Sequence, residues 1–495
     1  MDENKNNNEK HSDIRRQVLM GAVWKFLERI LAQVVSLVVT ILIARLLDPS
    51  DYGVVSIVTV FFSFANVIIA GGLNTALIQK KNTDKDDYDT VFTVSFIIAV
   101  VIYGIMFLSA PFIATVYKQE ILVPIIRVLG LSLPVYALKS IVCAYVSASL
   151  KFKLFFYATL GGTLTSAVVG IVLALNGFGA WALVAQQLSN TVIDTFILFL
   201  ITRLRLSFRI AFDRLRSLMS YATRIMMSSL LGVFINQINP LFIGLKYTSA
   251  DLSFYTKGRS FPETLSSSMT YTISSVLFPA LSKFQDNKER LIQYTRLYMC
   301  VSSFIVFPVM LGFFAIAETF VNLFLTSKWF PAVYYIRIAC VSMMFDVVAA
   351  GNCETIKAMG RSDVFLKIEI AKKSGYLITL IAFLIFTNKP KALAISMIVC
   401  TLIQIIINSI PNRKLIGYKG IYQLQDIIPN FFTAGIMCMV CIIVGHLDFP
   451  PALLMIMQIL VGTLTYLILA IISKNKSLMV ILDLVKKHNA KPKTK

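Results

Sequence analysis

Charged residues are scarce in this chain: Asp, Glu, Lys and Arg make up 15% of its 495 residues, against about 25% in a soluble globular domain. Histidine occurs only three times, at His11, His446 and His488, all outside the centres of apolar runs. Also missing are the phosphate-cradling GxxxxGK[ST], the zinc motif HExxH and any nucleophile–base–acid set. These absences point away from an enzyme, and no cofactor and no metal are expected. Strand-type alternation is lacking too, which excludes an outer-membrane barrel. Seven cysteines, an odd number, lie in or beside apolar runs at Cys143, Cys300, Cys340, Cys353, Cys400, Cys438 and Cys441. They read as free thiols and not as a disulfide framework. Cys438 and Cys441 form a CxxC, but no second ligand pair accompanies it. The opening stretch, MDENKNNNEKHSD, is polar and holds no cleavable signal peptide.

What the chain does have is apolar sequence, 57% of its residues. It comes in runs near twenty residues, each long enough to cross about 30 Å of hydrocarbon as a helix. Reading these runs against Gly, Pro and charge predicts an all-α polytopic membrane protein with about fourteen transmembrane helices. The segments lie near 21–45, 52–78, 89–112, 121–149, 154–176, 178–202, 217–246, 260–283, 288–316, 331–358, 365–387, 391–411, 427–446 and 451–473. A helix capped by Ser12 is expected to lead into the first, and SLMVILDLVKKHN reads as an amphipathic helix on the membrane surface.

The net charge is +21, from 47 Lys and Arg against 26 Asp and Glu. Because the basic residues cluster in short segments between apolar runs, they report topology and not nucleic-acid binding. Lys80, Lys81, Lys151, Lys153, Arg413, Lys414 and the tail ending Lys491, Lys493, Lys495 fall on one side if both termini are cytoplasmic. The loop RLRLSFRIAFDRLR, with Arg203, Arg205, Arg209, Arg214 and Arg216, is the strongest marker of that side. It also divides the chain into an N-terminal lobe 1–202 and a C-terminal lobe 217–411, with 203–216 as the basic loop between them. A further helix pair at 412–473 and a basic tail at 474–495 complete the division. ILIARLLDPSDYG and LFIGLKYTSADLSFY share an order of apolar helix, polar turn with Asp51 or Asp251, and aromatic Tyr52 or Tyr255. Such a duplication of six helices gives two parallel repeats, and parallel-repeat transporters bind substrate between the halves.

The stretches RLLDPSDYGVVSIV, GGLNTALIQK, GFGAWALVAQQL and SVLFPALSKFQDNKERL, in this order, resemble polysaccharide flippases and exporters of the bacterial lipopolysaccharide-biosynthesis type. That family belongs to the multidrug/oligosaccharidyl-lipid/polysaccharide (MOP) superfamily. The resemblance implies two six-helix lobes forming a V around a central cavity, plus two extra C-terminal helices. It implies a bacterial inner membrane location with both termini cytoplasmic. It also implies export of an undecaprenyl-diphosphate-linked oligosaccharide for O-antigen, capsule or exopolysaccharide, with polysaccharide polymerase and chain-length machinery as candidate partners beside the membrane lipids.

A lipid-linked oligosaccharide needs cations for its diphosphate and amides or hydroxyls for its sugars, held in a groove reachable by water. A central charge costs about 2.5–3.5 kcal/mol on insertion scales, so those retained in spans face the bundle interior. Asn236, Gln237 and Asn239 beside Pro240 resemble a polar groove wall with a kinked or broken helix, or else interhelical glue. Lys139 is the preferred cation for the diphosphate. Arg127, about 18 Å away along the same helix, can snorkel outward. Lys25, Glu28 and Arg29 on the first span and Arg224 on the seventh form a candidate gateway or ordinary interfacial anchors. Lys257, Arg259 and Glu263 are a candidate outer gate. Asp194 and Asp346 are candidates for ion coupling, with a fixed Lys139–Asp194 ion pair as the alternative. Glu354 and Lys357 read as a structural pair. Gly71–Gly72 and Gly161–Gly162 suit bending or, more often, close packing. The competing function is a cation-coupled small-molecule exporter of the same superfamily. A membrane-embedded sugar transferase needs larger loops than this chain has.

Overall fold

The computed structural model describes residues 31–70, 72–80, 83–285, 287–387, 389–475 and 477–479, together with Met20, Trp24, Leu27 and Glu28. Lys25, Arg29, the helix expected after Ser12 and most of the C-terminal amphipathic segment lie outside the described residues. Helices account for nearly all of the described chain, and among the described residues there is no strand. In order they are α1 (Leu31–Leu46), α2 (Pro49–Ala70), α3 (Leu73–Gln79), α4 (Lys85–Tyr117), α5 (Leu122–Gly130), α6 (Ser132–Ala148), α7 (Lys153–Leu175), α8 (Ala180–Thr202) and α9 (Phe212–Lys246). They continue as α10 (Ser249–Lys283), α11 (Lys288–Phe320), α12 (Ala332–Met343), α13 (Asp346–Ala358), α14 (Ser362–Phe386), α15 (Pro390–Leu415), α16 (Gly420–Val444) and α17 (Pro451–Ile472).

The helix starts follow local chemistry. Asp84 caps α4 in a reciprocal box with Asp87, each side chain accepting the other's backbone N–H, at 3.0 and 3.1 Å. Asn287 caps α11 through the N–H of Arg290, and Pro390 and Pro451 open α15 and α17, where proline's missing donor costs nothing. The two turns compared in the sequence share a device. Asp51 accepts from the N–H of Asp48, and Asp251 from that of Thr248, both at 3.3 Å.

Among the described residues, eleven helices or helix pairs are long and apolar enough to cross a membrane. All fourteen predicted segments contain helix, and the three outside that set are α1, α10 and α14. α10 and α14 fall short for different reasons: beyond its charged start α10 is rich in Ser and Thr and too polar even where it carries no charge, whereas α14 carries Lys367, Glu369, Lys372 and Lys373 in its length. The fourth and tenth segments are each interrupted, α5 from α6 and α12 from α13, by a turn with an i→i−3 bond at Leu131 and at Phe345. At Pro240, where a kink or a break is expected, α9 is not broken and runs on from Phe212 to Lys246. In an apolar bundle the remaining backbone groups have no water to turn to, so one lost bond is tolerated and the helix persists.

Two compact units divide the chain, residues 1–253 and 254–495. The boundary falls beyond the 203–216 loop, because α9 packs in the first unit against α2, α3 and α4. At Gly72 a side chain's first carbon would lie 2.0 Å from the carbonyl oxygen of Ala222 on α9, so the helices meet backbone to backbone. The connecting residues are pinned as an extended strap on the start of α4. Ser207, Arg209 and Ala211 donate their backbone N–H groups to Asp89, Thr93 and Thr90 at 2.9–3.1 Å. Arg214 meets the Asp84 carboxylate at 2.8 Å, and Lys80 meets Asp87 at 2.6 Å. The N–H of Asp87, with Arg214 and Lys80 nearby, holds the Asp84 carboxyl below the usual carboxylate range.

The second unit is built around α11, which touches α12, α13, α16 and α17. The last two helices are fastened by polar bonds. Asn430 donates to Cys300 O at 3.0 Å and Ser303 Oγ at 2.7 Å, and Asn475 donates to Asn430 at 2.8 Å. Arg296 grips Asp426 with two bonds of 2.7 and 2.8 Å, the bidentate geometry a guanidinium favours.

Candidate functional site

In the first unit the ion-pair alternative is what forms: Lys139 on α6 donates to Asp194 on α8. Their side chains are 27% and 11% exposed, so the pair sits largely inside the bundle with the lysine nearer water. Room for it comes from Gly162 on α7, where a side chain would begin 2.7 Å from the Cβ of Asp194. Close packing is thus the use made of that glycine. Glu28 accepts a bond from Thr159 at 3.1 Å, which ties the start of the chain to α7. Arg127 lies over the ring of Phe107, 4.3 Å from its centre, a cation–π contact that accommodates a guanidinium in an apolar run. Arg224 is exposed, reaching Ser220 of its own helix at 3.4 Å.

The three amides of α9 do not share a wall. Asn236 is exposed, Gln237 donates to Ser63 of α2 at 3.3 Å, and Asn239 is buried at 1% exposure. A helix turns 100° per residue, so Gln237 points away from the other two, and Asn236 and Asn239, one turn apart on the same side, differ in how closely neighbouring helices cover them. Gln237 therefore joins helices, and Asn236 alone of the three faces outward.

The second unit brings together residues that the sequence analysis treats separately. Arg259 and Glu263, one turn apart on α10, form an ion pair at 3.2 Å. Asp346, at the first position of α13, lies within electrostatic reach of Arg259, Glu263 and Lys372, and Ser266 of α10 donates its hydroxyl to the carbonyl of Met343 just before it, at 3.1 Å. Lys372 in turn pairs with Glu369 on α14. Lys257 is half-buried on α10. Glu354 and Lys357 pair at 3.1 Å. The candidate outer gate and the candidate coupling acid Asp346 thus share one cluster of charges. Glu369 and Lys372 escaped the sequence reading, although a charged pair three apart inside a predicted span is a legible signal. The buried Asp87 and Asp89 escaped it as well, because DDYD before an apolar run looks like a solvated helix start.

Among the described residues no group of three or more His, Cys, Asp or Glu could hold a metal ion. What the geometry offers is charge compensation inside helices: positions where an anion or a cation can exchange partners. Long apolar helices carrying such pairs define a multi-pass α-helical membrane protein.

Residues 42–334 match the model of the family described as polysaccharide biosynthesis protein, and the chain belongs to that family. It is 23% identical over 475 residues to an uncharacterized membrane protein in the cps region of Klebsiella pneumoniae, covering 94% of this chain and 97% of that one. To the succinoglycan biosynthesis transport protein ExoT of Rhizobium meliloti (strain 1021) it is 24% identical over 289 residues, 58% of each chain. Its fold is similar to that of the lipid II flippase MurJ in an inward closed conformation. That likeness has a TM-score of 0.72 at 14% identity and covers 92% of this chain and 99% of the other. The family membership and the all-helical membrane fold expected from the sequence are those found.

Proposed function

We propose that this protein is a flippase for a lipid-linked sugar, moving an undecaprenyl-diphosphate-linked oligosaccharide from the inner to the outer leaflet of a bacterial cytoplasmic membrane. The observation that carries the reading is the family match over 42–334 on a chain whose fold is that of a lipid II flippase. The charges held inside its helices support it physically. A diphosphate headgroup cannot cross hydrocarbon without counter-charges, whereas its prenyl tail stays in lipid. Two lobes, 1–202 and 217–411, rock about the substrate in alternating access, joined by the loop 203–216 and followed by the pair 412–473 and the tail 474–495. In this reading both termini are cytoplasmic, which the distribution of Lys and Arg favours.

In this scheme Lys139 offers the diphosphate a cation when it exchanges Asp194 for substrate. Arg224 and, outside the described residues, Lys25 and Arg29 attract the headgroup at the cytoplasmic mouth. Asn236, exposed on α9, presents its amide to sugars, and Gln237 and Asn239 come within reach of them only as the helices around α9 move in the transport cycle. Lys257, Arg259 and Glu263 act at the outer gate, and Asp194 or Asp346 takes up the coupling ion. Polymerase and chain-length proteins are the partners that receive the product. The second reading, a cation-coupled small-molecule exporter, draws on the acid Asp346 in its cluster of charges.

Depleting the protein in its own cell and assigning lipid-linked sugars to a leaflet separates the two. Flipping predicts a diphosphate-linked oligosaccharide accumulating on the cytoplasmic face, relieved by the wild-type chain. No such intermediate, together with altered drug sensitivity, transfers the assignment to the small-molecule exporter.

A further inference from the structure

The five arginines between α8 and α9 have divided duties. Arg214 is engaged by Asp84 and Asp87. Arg203, Arg205, Arg209 and Arg216 are exposed, and among the described residues none of the four is paired with a carboxylate. Asp213 is the one acid within 203–216. The strap's alternation explains the arrangement. Leu204 turns in to pack with Val142, Phe155 and Leu198, and Leu206 packs with Leu77, Tyr88 and Phe92. Arg203 and Arg205 therefore turn out.

Apolar side chains turn out beside them. Phe208 is 68% exposed and Phe212 76% exposed. Phe208 rests one edge on Phe92 and Phe96, with ring centres at 5.2 and 5.5 Å, and leaves the rest uncovered. A loop bathed only by water has no use for two such rings. The position supplies one. The strap begins where the 23-residue α8 ends, and 23 residues at about 1.5 Å each cross the hydrocarbon with little to spare. It therefore lies at the level where acyl chains give way to phosphates. Guanidinium groups bind phosphate oxygens in pairs, and aromatic rings settle at the same depth.

We propose that residues 203–216 are a preformed docking strap for anionic phospholipids, with Arg203, Arg205 and Arg209 holding headgroup phosphates and Phe208 and Phe212 seated at the tops of the acyl chains. The three backbone bonds to Asp89, Thr90 and Thr93 fix the strap in advance, so lipid binding does not have to order it. The proposal does not depend on what the protein transports.

The test is native mass spectrometry of the purified full chain offered phosphatidylglycerol and the zwitterionic phosphatidylcholine. Near an anionic surface a basic residue contributes about 1 kcal/mol, or about fivefold. The wild-type chain should then retain phosphatidylglycerol at least about tenfold better, and the triple variant Arg203→Gln, Arg205→Gln, Arg209→Gln should approach parity. Equal retention of the two lipids by the wild type, or an undiminished preference in the variant, overturns the proposal. So does displacement of the lipid by inorganic phosphate alone, which would mark a free-anion site. A salt titration of the unaltered protein gives an answer even if the variant fails to fold. Raising ionic strength from about 0.05 to 0.5 M must release phosphatidylglycerol, and retention indifferent to salt refutes the strap.

Discussion

Lys139 and Asp194 each determine what becomes of the other when one is removed. A charge left alone in a buried setting costs about 3–5 kcal/mol, and with 27% and 11% exposure this pair belongs at the lower end. Lys139→Ala and Asp194→Ala should each lower the melting temperature in detergent by the equivalent of roughly 3 kcal/mol. The double variant, left with no lone charge, should recover much of that loss. Transport then separates two roles. A double variant that is stable yet leaves the lipid-linked sugar on the cytoplasmic face assigns Lys139 to the substrate, whereas a stable and active one assigns the pair to scaffolding. Both residues were legible as costly charges in apolar runs. Their partnership had to be weighed as an alternative, because 55 positions separate them and only the packing of α6 on α8 brings them together. The amides of α9 were legible as a polar cluster with two readings, a groove wall or glue between helices. Gln237 bonds Ser63 of α2, while Asn236 is exposed and Asn239 buried.

At the scale of elements, close approach decides more than composition. Gly72 sits where α3 begins and where the carbonyl of Ala222 on α9 leaves no space. Gly72→Val should force the two helices apart and destabilise the first unit by about 1–3 kcal/mol, read as a lower melting temperature with the second unit's transition unmoved. Helix positions themselves were largely legible, since hydrophobic runs bounded by Gly, Pro and charge mark them whatever the tertiary context. Interruptions were less so. Leu131 follows Gly130 and precedes Pro134, signals the reading did not use, whereas Phe345 has no breaker beside it and its i→i−3 turn appears only once the chain is folded. Pro240 looked like a breaker, yet α9 passes through it. The strap was invisible for a related reason. Its arginines read as a topology signal, whereas its geometry is set by Asp89, Thr90 and Thr93, more than a hundred residues earlier.

For the molecule as a whole, the division at Ser253 has a consequence in time. A ribosome delivers the chain from the N-terminus, at about 5–20 residues per second. All the partners of α9 named above, on α2, α3 and α4, precede it in sequence, so the first unit is complete before Phe254 has been made. The lobe boundary suggested by charge, at 203–216, would instead leave α9 waiting for helices not yet synthesised. Assembly can therefore proceed in two instalments, the first closing by itself with the 203–216 strap and α9 already in place. A fragment ending at Ser253 should insert and resist protease as a folded body, and one ending at Thr202, stripped of both strap and α9, should be degraded. Pulse-chase with limited proteolysis of the two fragments reads this directly. The two units would then be built one after the other, with the seam of biogenesis one long helix beyond the basic loop that marks the division in the sequence.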